Sequence, residues 1–312
     1  MTETAAAAAG VMLGACRVRA GASSWADRGL VRDGGFYPRK TMTATERLGY
    51  YTTRLAVAEI ATTFRFPPTP DLARQWAERT PAGFVFDVRA WSLLSGSPTL
   101  PDSLWPDLAT EVHPERRDCR RLYPTHLSDD GIDECWSRFA HAIGPLRDAG
   151  RLGVVIFKYP SWFSPRNESW AELAAIRRRL AGFEVAVELH NRKWWEAAGA
   201  DATLEWLEDH DIGFVCVDGP AGGAAAAPGV VAATSATAIV RFRGRREVDG
   251  EPWTWPYRYE RAELEAWAPR IADLAASSTE AHLLFDNTAG TDAVDNALTA
   301  LDIIGDLGGR PT

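Results

Sequence analysis

Eight short apolar runs recur along the chain, at residues 18–24, 55–62, 84–90, 153–159, 183–189, 213–217, 238–242 and 281–285. Most end in a charged or amide side chain, and segments of helical spacing separate them. Such alternation builds a parallel sheet through right-handed crossovers. Runs such as Val154-Val155-Ile156-Phe157 are apolar on both faces, as strands covered on both sides must be. Ser164 followed by Pro165 reads as a helix cap with proline at the first helical position. An open dinucleotide-binding sheet is disfavoured, because Gly21-Ala22-Ser23-Ser24 lacks the G-x-G-x-x-G spacing. The expected fold is α/β: a closed (β/α)8 TIM-type barrel with long loops at its C-terminal face. It is expected to fill residues 17–308 as one domain, after a flexible lead-in over 1–16.

A chain of 312 residues suits one such barrel, and 46% hydrophobic content supplies its core. The net charge of −8 argues against a general nucleic-acid coater, though not against a local basic pocket. Cys16, Cys119, Cys135 and Cys216 show no metal or redox spacing and read as reduced thiols of a cytoplasmic protein. The Ala-rich start carries Glu3 and no basic region, unlike a signal peptide. No apolar run approaches the roughly 20 residues that span a bilayer, so no membrane partner is expected. The excursion at 91–130 and the loop at 244–259, with Trp253, Trp255 and Tyr257, are long enough to be functional loops or lids.

Several motifs together resemble a known family. They are Gly21-Ala22-Ser23-Ser24-Trp25, Gly35-Phe36-Tyr37-Pro38, Tyr50-Tyr51, Glu59 with Thr63-Phe64, and Phe84-Val85-Phe86-Asp87-Val88-Arg89-Ala90. Leu152-Gly153-Val154-Val155, Val187-Glu188 with Trp194, Val240-Arg241-Phe242 with Gly244-Arg245, Tyr257-Arg258-Tyr259, and Asp286-Asn287 with Asn296-Ala297 follow in order. From about residue 18 to 307 the chain resembles the YecE-like family, the domain of unknown function seventy-two. The resemblance implies a TIM-barrel-like fold and no established activity. The chain departs from the family pattern at Lys158 (usually Gln), at Arg65 (usually Tyr) and at Arg243 (commonly His). Glu188-Leu189-His190-Asn191-Arg192 replaces a Glu-Arg-His type of run, and Asp286-Asn287 replaces a paired Asn. Roles resting on those side chains do not transfer.

In a barrel all strand ends meet at one rim. That rim would gather the carboxylates Glu59, Asp87, Glu188, Asp218 and Asp286 with the cations Arg89, Lys158, Arg241 and Arg243. Glu188, inside an apolar strand, is the leading acid–base candidate, since burial could tune it toward working pH. Asp286 and Glu59 complete the catalytic candidates. The plainer alternative makes Glu188 a structural ion pair with Arg241 or Lys158. Arg241, Arg243, Arg245 and Arg246, near Lys158, Arg192 and Lys193, suggest a basic rim where such barrels bind phosphate. The ligand-binding candidates are Trp25, Arg89, Lys158, His190, Trp194, Arg241, Arg243 and Asn287. The 13 tryptophans either stack on bases or sugars, or pack the loops, and packing is the commoner use. No residues are assigned to a metal. The scattered histidines argue against zinc, while magnesium on Glu188, Asp218 and Asp286 stays open. No G-x-S-x-G elbow is present. The expected function is a hydrolase or lyase acting on a small anionic or phosphorylated ligand. The alternatives are a non-catalytic ligand or nucleic-acid binding module and a metal-dependent phosphodiesterase or endonuclease. The oligomeric state is not legible.

Overall fold

The computed structural model describes residues 10–32, 35–196, 199–221, 229–246, 256–287 and 289–308, with the backbone of 310–311. Its strands are β1 (Val11–Leu13), β2 (Cys16–Ala22), β3 (Val57–Ile60), β4 (Val85–Arg89), β5 (Leu152–Tyr159), β6 (Glu184–Leu189), β7 (Gly213–Asp218), β8 (Thr237–Phe242), β9 (Glu280–Phe285) and β10 (Arg310–Pro311). They form one sheet in the order β10-β1-β2-β9-β8-β7-β6-β5-β4-β3. Every pairing from β2 through β9 is parallel, while β1 runs antiparallel to both β2 and β10. The fold is mixed α/β around a curled, mostly parallel sheet, and β2 to β9 coincide with the eight expected runs. Regular structure begins ahead of residue 17: Val11–Leu13 already pairs with β2, and of the expected lead-in residues 1–9 lie outside the described residues.

Two apolar cores lie on the two faces of the sheet. The larger fills the space between sheet and helices. The smaller, Val57, Val154, Ile156, Ala186, Val215, Val217, Ile239 and Leu284, comes entirely from strands. Side chains alternate along a strand with period 2, so the neighbours of these residues at i±2 share their face. On one side lie Arg19, Asp87, His282 and Glu280. On the other, toward the strand C-termini, lie Glu59, Arg89, Lys158, Glu188 and Arg241. The inner face is thus an apolar layer between two charged ones.

No ladder joins β2 to β3 among the described residues, yet the two strands touch. A Cβ on Gly21 would lie 1.8 Å from the Val57 carbonyl oxygen, so only glycine allows the approach. The Tyr51 hydroxyl bridges this seam, accepting from the Ala22 N–H at 2.8 Å and donating to Val57 O at 3.0 Å. Tyr51 is delivered by the helix Ala44–Tyr51, which opens on a capping box between Thr43 and Glu46.

After β4, the long excursion folds as short 3-10 turns rather than a helix. Bridges between Thr99 and Leu122, and between Val112 and Leu127, pin it. It leads into the helix Asp129–Asp148, capped by Ser128. The Ser164–Pro165 start is displaced: the helix is Asn167–Arg179, and extended Arg166 (φ −136°, ψ 162°) separates the proline from its first turn. No helix among the described residues is long and apolar enough to cross a membrane.

Candidate functional site

The charged layer at the strand C-termini is built around Arg241 of β8, whose side chain is 1% exposed. Its Nη1 and Nη2 donate to the two oxygens of Glu59 at 2.7 and 3.0 Å, and its Nε donates to Glu188 Oε2 at 2.6 Å. Arg89 grips Glu59 from the other side, at 2.9 and 3.0 Å. Glu59 is therefore shared between two arginines, each meeting its two oxygens with two N–H groups. Ser23 Oγ lies 3.4 Å from Arg241 Nη1. It was not among the expected site residues, although it follows Gly21 at the spacing of one strand face.

Glu188 carries a second set of donors on Oε1: Nη2 of Arg243, and His190 Nε2 at 2.7 Å. His190 and Arg243 thus meet on one oxygen. Burial alone would raise the Glu188 pKa, but Arg241, Arg243 and His190 outweigh it and hold the carboxyl well below the usual range. Burial also opposes ionisation of Glu59, yet Arg241 and Arg89 bring it down to about 2. Both are permanent anions at neutral pH. The expected tuning of Glu188 toward working pH does not occur, because two guanidiniums contribute more than desolvation costs. Nor do Glu188 and Arg241 line an open hollow: Glu188 is 0% and Arg241 1% exposed, a sealed floor.

Solvent reaches the edge of the layer. Asp286, just beyond β9, has a side chain 18% exposed and lies 3.7 Å from Arg89 and 3.9 Å from Arg241. Those distances are ion-pair contacts beyond hydrogen-bond range, so Asp286 is the carboxylate of the group least committed to a partner. Arg89 is 14% exposed. Lys158, half-buried, sits opposite Glu188 in the β5–β6 register. Among the described residues the layer gathers four cations (Arg89, Lys158, Arg241, Arg243) with three carboxylates (Glu59, Glu188, Asp286).

Other expected site residues lie elsewhere. Trp25 packs against Trp76 and Phe86 at ring distances of 5.7 and 5.4 Å, within the core between sheet and helices. Trp194 is fully buried, donates to Phe163 O at 2.7 Å and stacks on that ring. Neither offers a face to a ligand, because each fills a packing position behind the strand ends. Asn287 is fully buried and spends its amide N–H groups on Tyr257 O and Asn296 Oδ1, which anchors the segment after β9. Asp218 turns outward to Arg245 and Tyr259, at 2.7 Å each, and to Trp267. It therefore cannot join Glu188 and Asp286 around magnesium, and no group of three acidic, histidine or cysteine side chains among the described residues is placed to hold a metal ion. Asp87 belongs to the opposite charged layer, bonded to His282 Nδ1 at 2.9 Å and to the Val154 N–H at 2.8 Å. Of the loop at 244–259, residues 247–255 with Trp253 and Trp255 lie outside the described residues. Two grooves, of about 400 and 250 Å³, run along Val231 and Arg270 and share no lining residue with the ionic layer.

Comparison with known proteins bears on the whole chain. A curated relative, the UPF0759 protein YunF of Bacillus subtilis, is 25% identical over 295 residues, covering 91% of this chain and 93% of that one. The crystal structure of a DUF72 family protein from Thermotoga maritima superposes with a TM-score of 0.71 at 22% identity, covering 92% of this chain and 99% of that one. One from Enterococcus faecalis gives 0.70 at 19%, covering 92% and 97%. Each superposition extends the shared fold over nearly the whole chain. The family model described as "Protein of unknown function DUF72" matches residues 19–310, from Arg19 beside the inner charged layer to the last strand, and the chain belongs to that family.

Proposed function

We propose that this protein binds a small anionic ligand, carrying phosphate or carboxylate, over the ionic layer at the strand C-termini, and that it is a hydrolase or lyase using Asp286 as an acid–base group. The observation that carries this reading is the division of the layer into a sealed floor and an open edge. Glu59 and Glu188 are locked by arginines and serve as fixed anions that hold Arg89, Arg241 and Arg243 in place. Asp286 alone among the layer's carboxylates combines solvent access with contacts longer than a hydrogen bond. The four cations gathered there favour an anion, and the curl of eight parallel strands, with β2 and β3 within reach of one tyrosine, supports a closed (β/α)8 barrel. Four unpaired cysteines fit a reducing, cytoplasmic setting. The metal-dependent alternative is weakened by the engagement of Glu59, Glu188 and Asp218 with cations. The stacking alternative is weakened by the burial of Trp25 and Trp194.

Calorimetric titration with inorganic phosphate, citrate and a panel of sugar phosphates, followed by turnover assays on whatever binds, tests the reading. Asp286→Asn is expected to keep affinity within a few-fold and to lose about 10²–10⁴-fold in turnover, the usual share of one acid–base group. Failure of the wild-type protein to bind any of these anions at low ionic strength overturns it.

A further inference from the structure

We propose that His190 and Glu188 form a carboxylate–imidazole dyad in which Glu188 fixes the ring and His190 Nδ1 is the base toward a ligand hydroxyl or water. The base role rests on the anion-binding reading above; the dyad geometry does not. The ring tautomer follows from the contacts. Glu188 Oε1 is an acceptor, 2.7 Å from His190 Nε2, so a lone pair on Nε2 would face the lone pairs of an anion. Nε2 therefore carries the hydrogen. Arg243 Nη2, a donor only, also lies 3.2 Å from Nε2 and would favour a lone pair there; the shorter, charge-assisted contact with the Glu188 carboxylate prevails, and Arg243 Nη2 has Glu188 Oε1 as its own acceptor. The neutral ring then has its lone pair on Nδ1, which points away from the carboxylate and takes no hydrogen bond among the described residues.

The surroundings keep the ring in that form. Burial disfavours the imidazolium, and Arg243 and Lys158 add to the effect against the pull of Glu188, so the His190 pKa lies below its ordinary value. His190 comes directly after β6, at the end of the sheet where Asp286 also lies. Its side chain is 5% exposed while that of Glu188 is 0% exposed. The step is a proton transfer. The O–H bond of a ligand hydroxyl or water breaks, its proton joins the Nδ1 lone pair, and the electron pair stays on the oxygen. The resulting imidazolium keeps its Nε2–H on Glu188, an anion already in place to stabilise the new charge. The same logic of an oriented, carboxylate-backed imidazole operates in hydrolase triads.

Nitrogen-15 NMR of histidine-labelled full-length protein tests this, with His190→Gln identifying the signal, or His190→Asn if the first variant is insoluble. The expected result is a neutral ring protonated at Nε2 at pH 7, whose titration midpoint rises on addition of inorganic phosphate, since a nearby anion favours the imidazolium. A ring protonated at Nδ1, or doubly protonated at pH 7, overturns the dyad. Phosphate that binds by calorimetry without moving the His190 signal overturns the base role and leaves the anion site standing. Absence of phosphate binding with the Nε2–H tautomer intact overturns the anion-binding reading and the base role that depends on it.

Discussion

Arg241 shows how a charged side chain survives almost complete burial. Its guanidinium spends three N–H groups on two carboxylates, and each carboxylate has a further cation at its far side. Breaking one such partnership leaves an uncompensated charge in a dry site, which costs about 3–5 kcal/mol. Glu188→Gln should destabilise the protein by that order, read as a lower urea midpoint at unchanged slope; a shift below about 1 kcal/mol would mean that the floor is wetter than its burial indicates. The opposite layer contains a second test. Burial lowers the pKa of His282, but Asp87 more than offsets this and raises it above the ordinary value. Folding therefore favours the protonated ring. This contribution is complete below the unfolded value near 6.5 and is lost as pH rises through the folded value. The gap in melting temperature between wild type and His282→Gln should accordingly be wider at pH 6 than at pH 9. Strand-end position was enough to single out Glu59, Glu188 and Arg241 from sequence. Their mutual bonding was not legible, because residues 59, 188 and 241 meet only once the sheet has curled. Trp25 and Trp194 were misplaced for a related reason: proximity to a strand end does not reveal which side of the sheet a loop side chain fills.

At the scale of elements, the apolar runs located β2 to β9 well, since burial of both faces over four to eight residues leaves a strong trace. Short and distant pairings left none. β1 has three residues inside an Ala-rich start, and its partner β10 lies at the other end of the chain. The β2–β3 seam was equally invisible, because it is made by the Tyr51 bridge and the Gly21–Val57 approach, which join residues distant in sequence. Tyr51→Phe should retain the ring packing against Phe36 and Phe84 while leaving the Ala22 N–H and the Val57 carbonyl without this partner. At about 1–3 kcal/mol per unsatisfied buried group, the expected loss is about 2–6 kcal/mol. Faster hydrogen exchange at Ala22 than at Ala20, in mid-strand β2, would locate the damage at the seam. Uniform acceleration across β2 would instead mean that the hydroxyl supports the whole fold.

On the scale of the whole molecule, sign matters more than contact. The chain carries −8 overall, so long-range attraction cannot explain anion binding, and any such binding must come from the cations gathered locally, four of them among the described residues. Lys158 belongs to the layer but takes no part in the Arg241–Glu59 and Arg241–Glu188 bonds. Lys158→Glu makes the layer more negative by two units, leaving three cations against four carboxylates among the described residues. An anion bound only to the native state stabilises it by RT ln(1 + [L]/Kd), about 2.7 kcal/mol at a hundred-fold excess over Kd. For a chain longer than 250 residues that corresponds to a rise in melting temperature on the order of 5 °C. Phosphate should produce such a rise in the wild-type protein relative to sodium chloride at the same ionic strength, and should produce none in Lys158→Glu. Matching the ionic strength removes general screening, so a difference between the two proteins reads the sign of the layer itself. Equal stabilisation of both would place the anion elsewhere on the surface, and the division into floor and edge would then have no bearing on ligand binding.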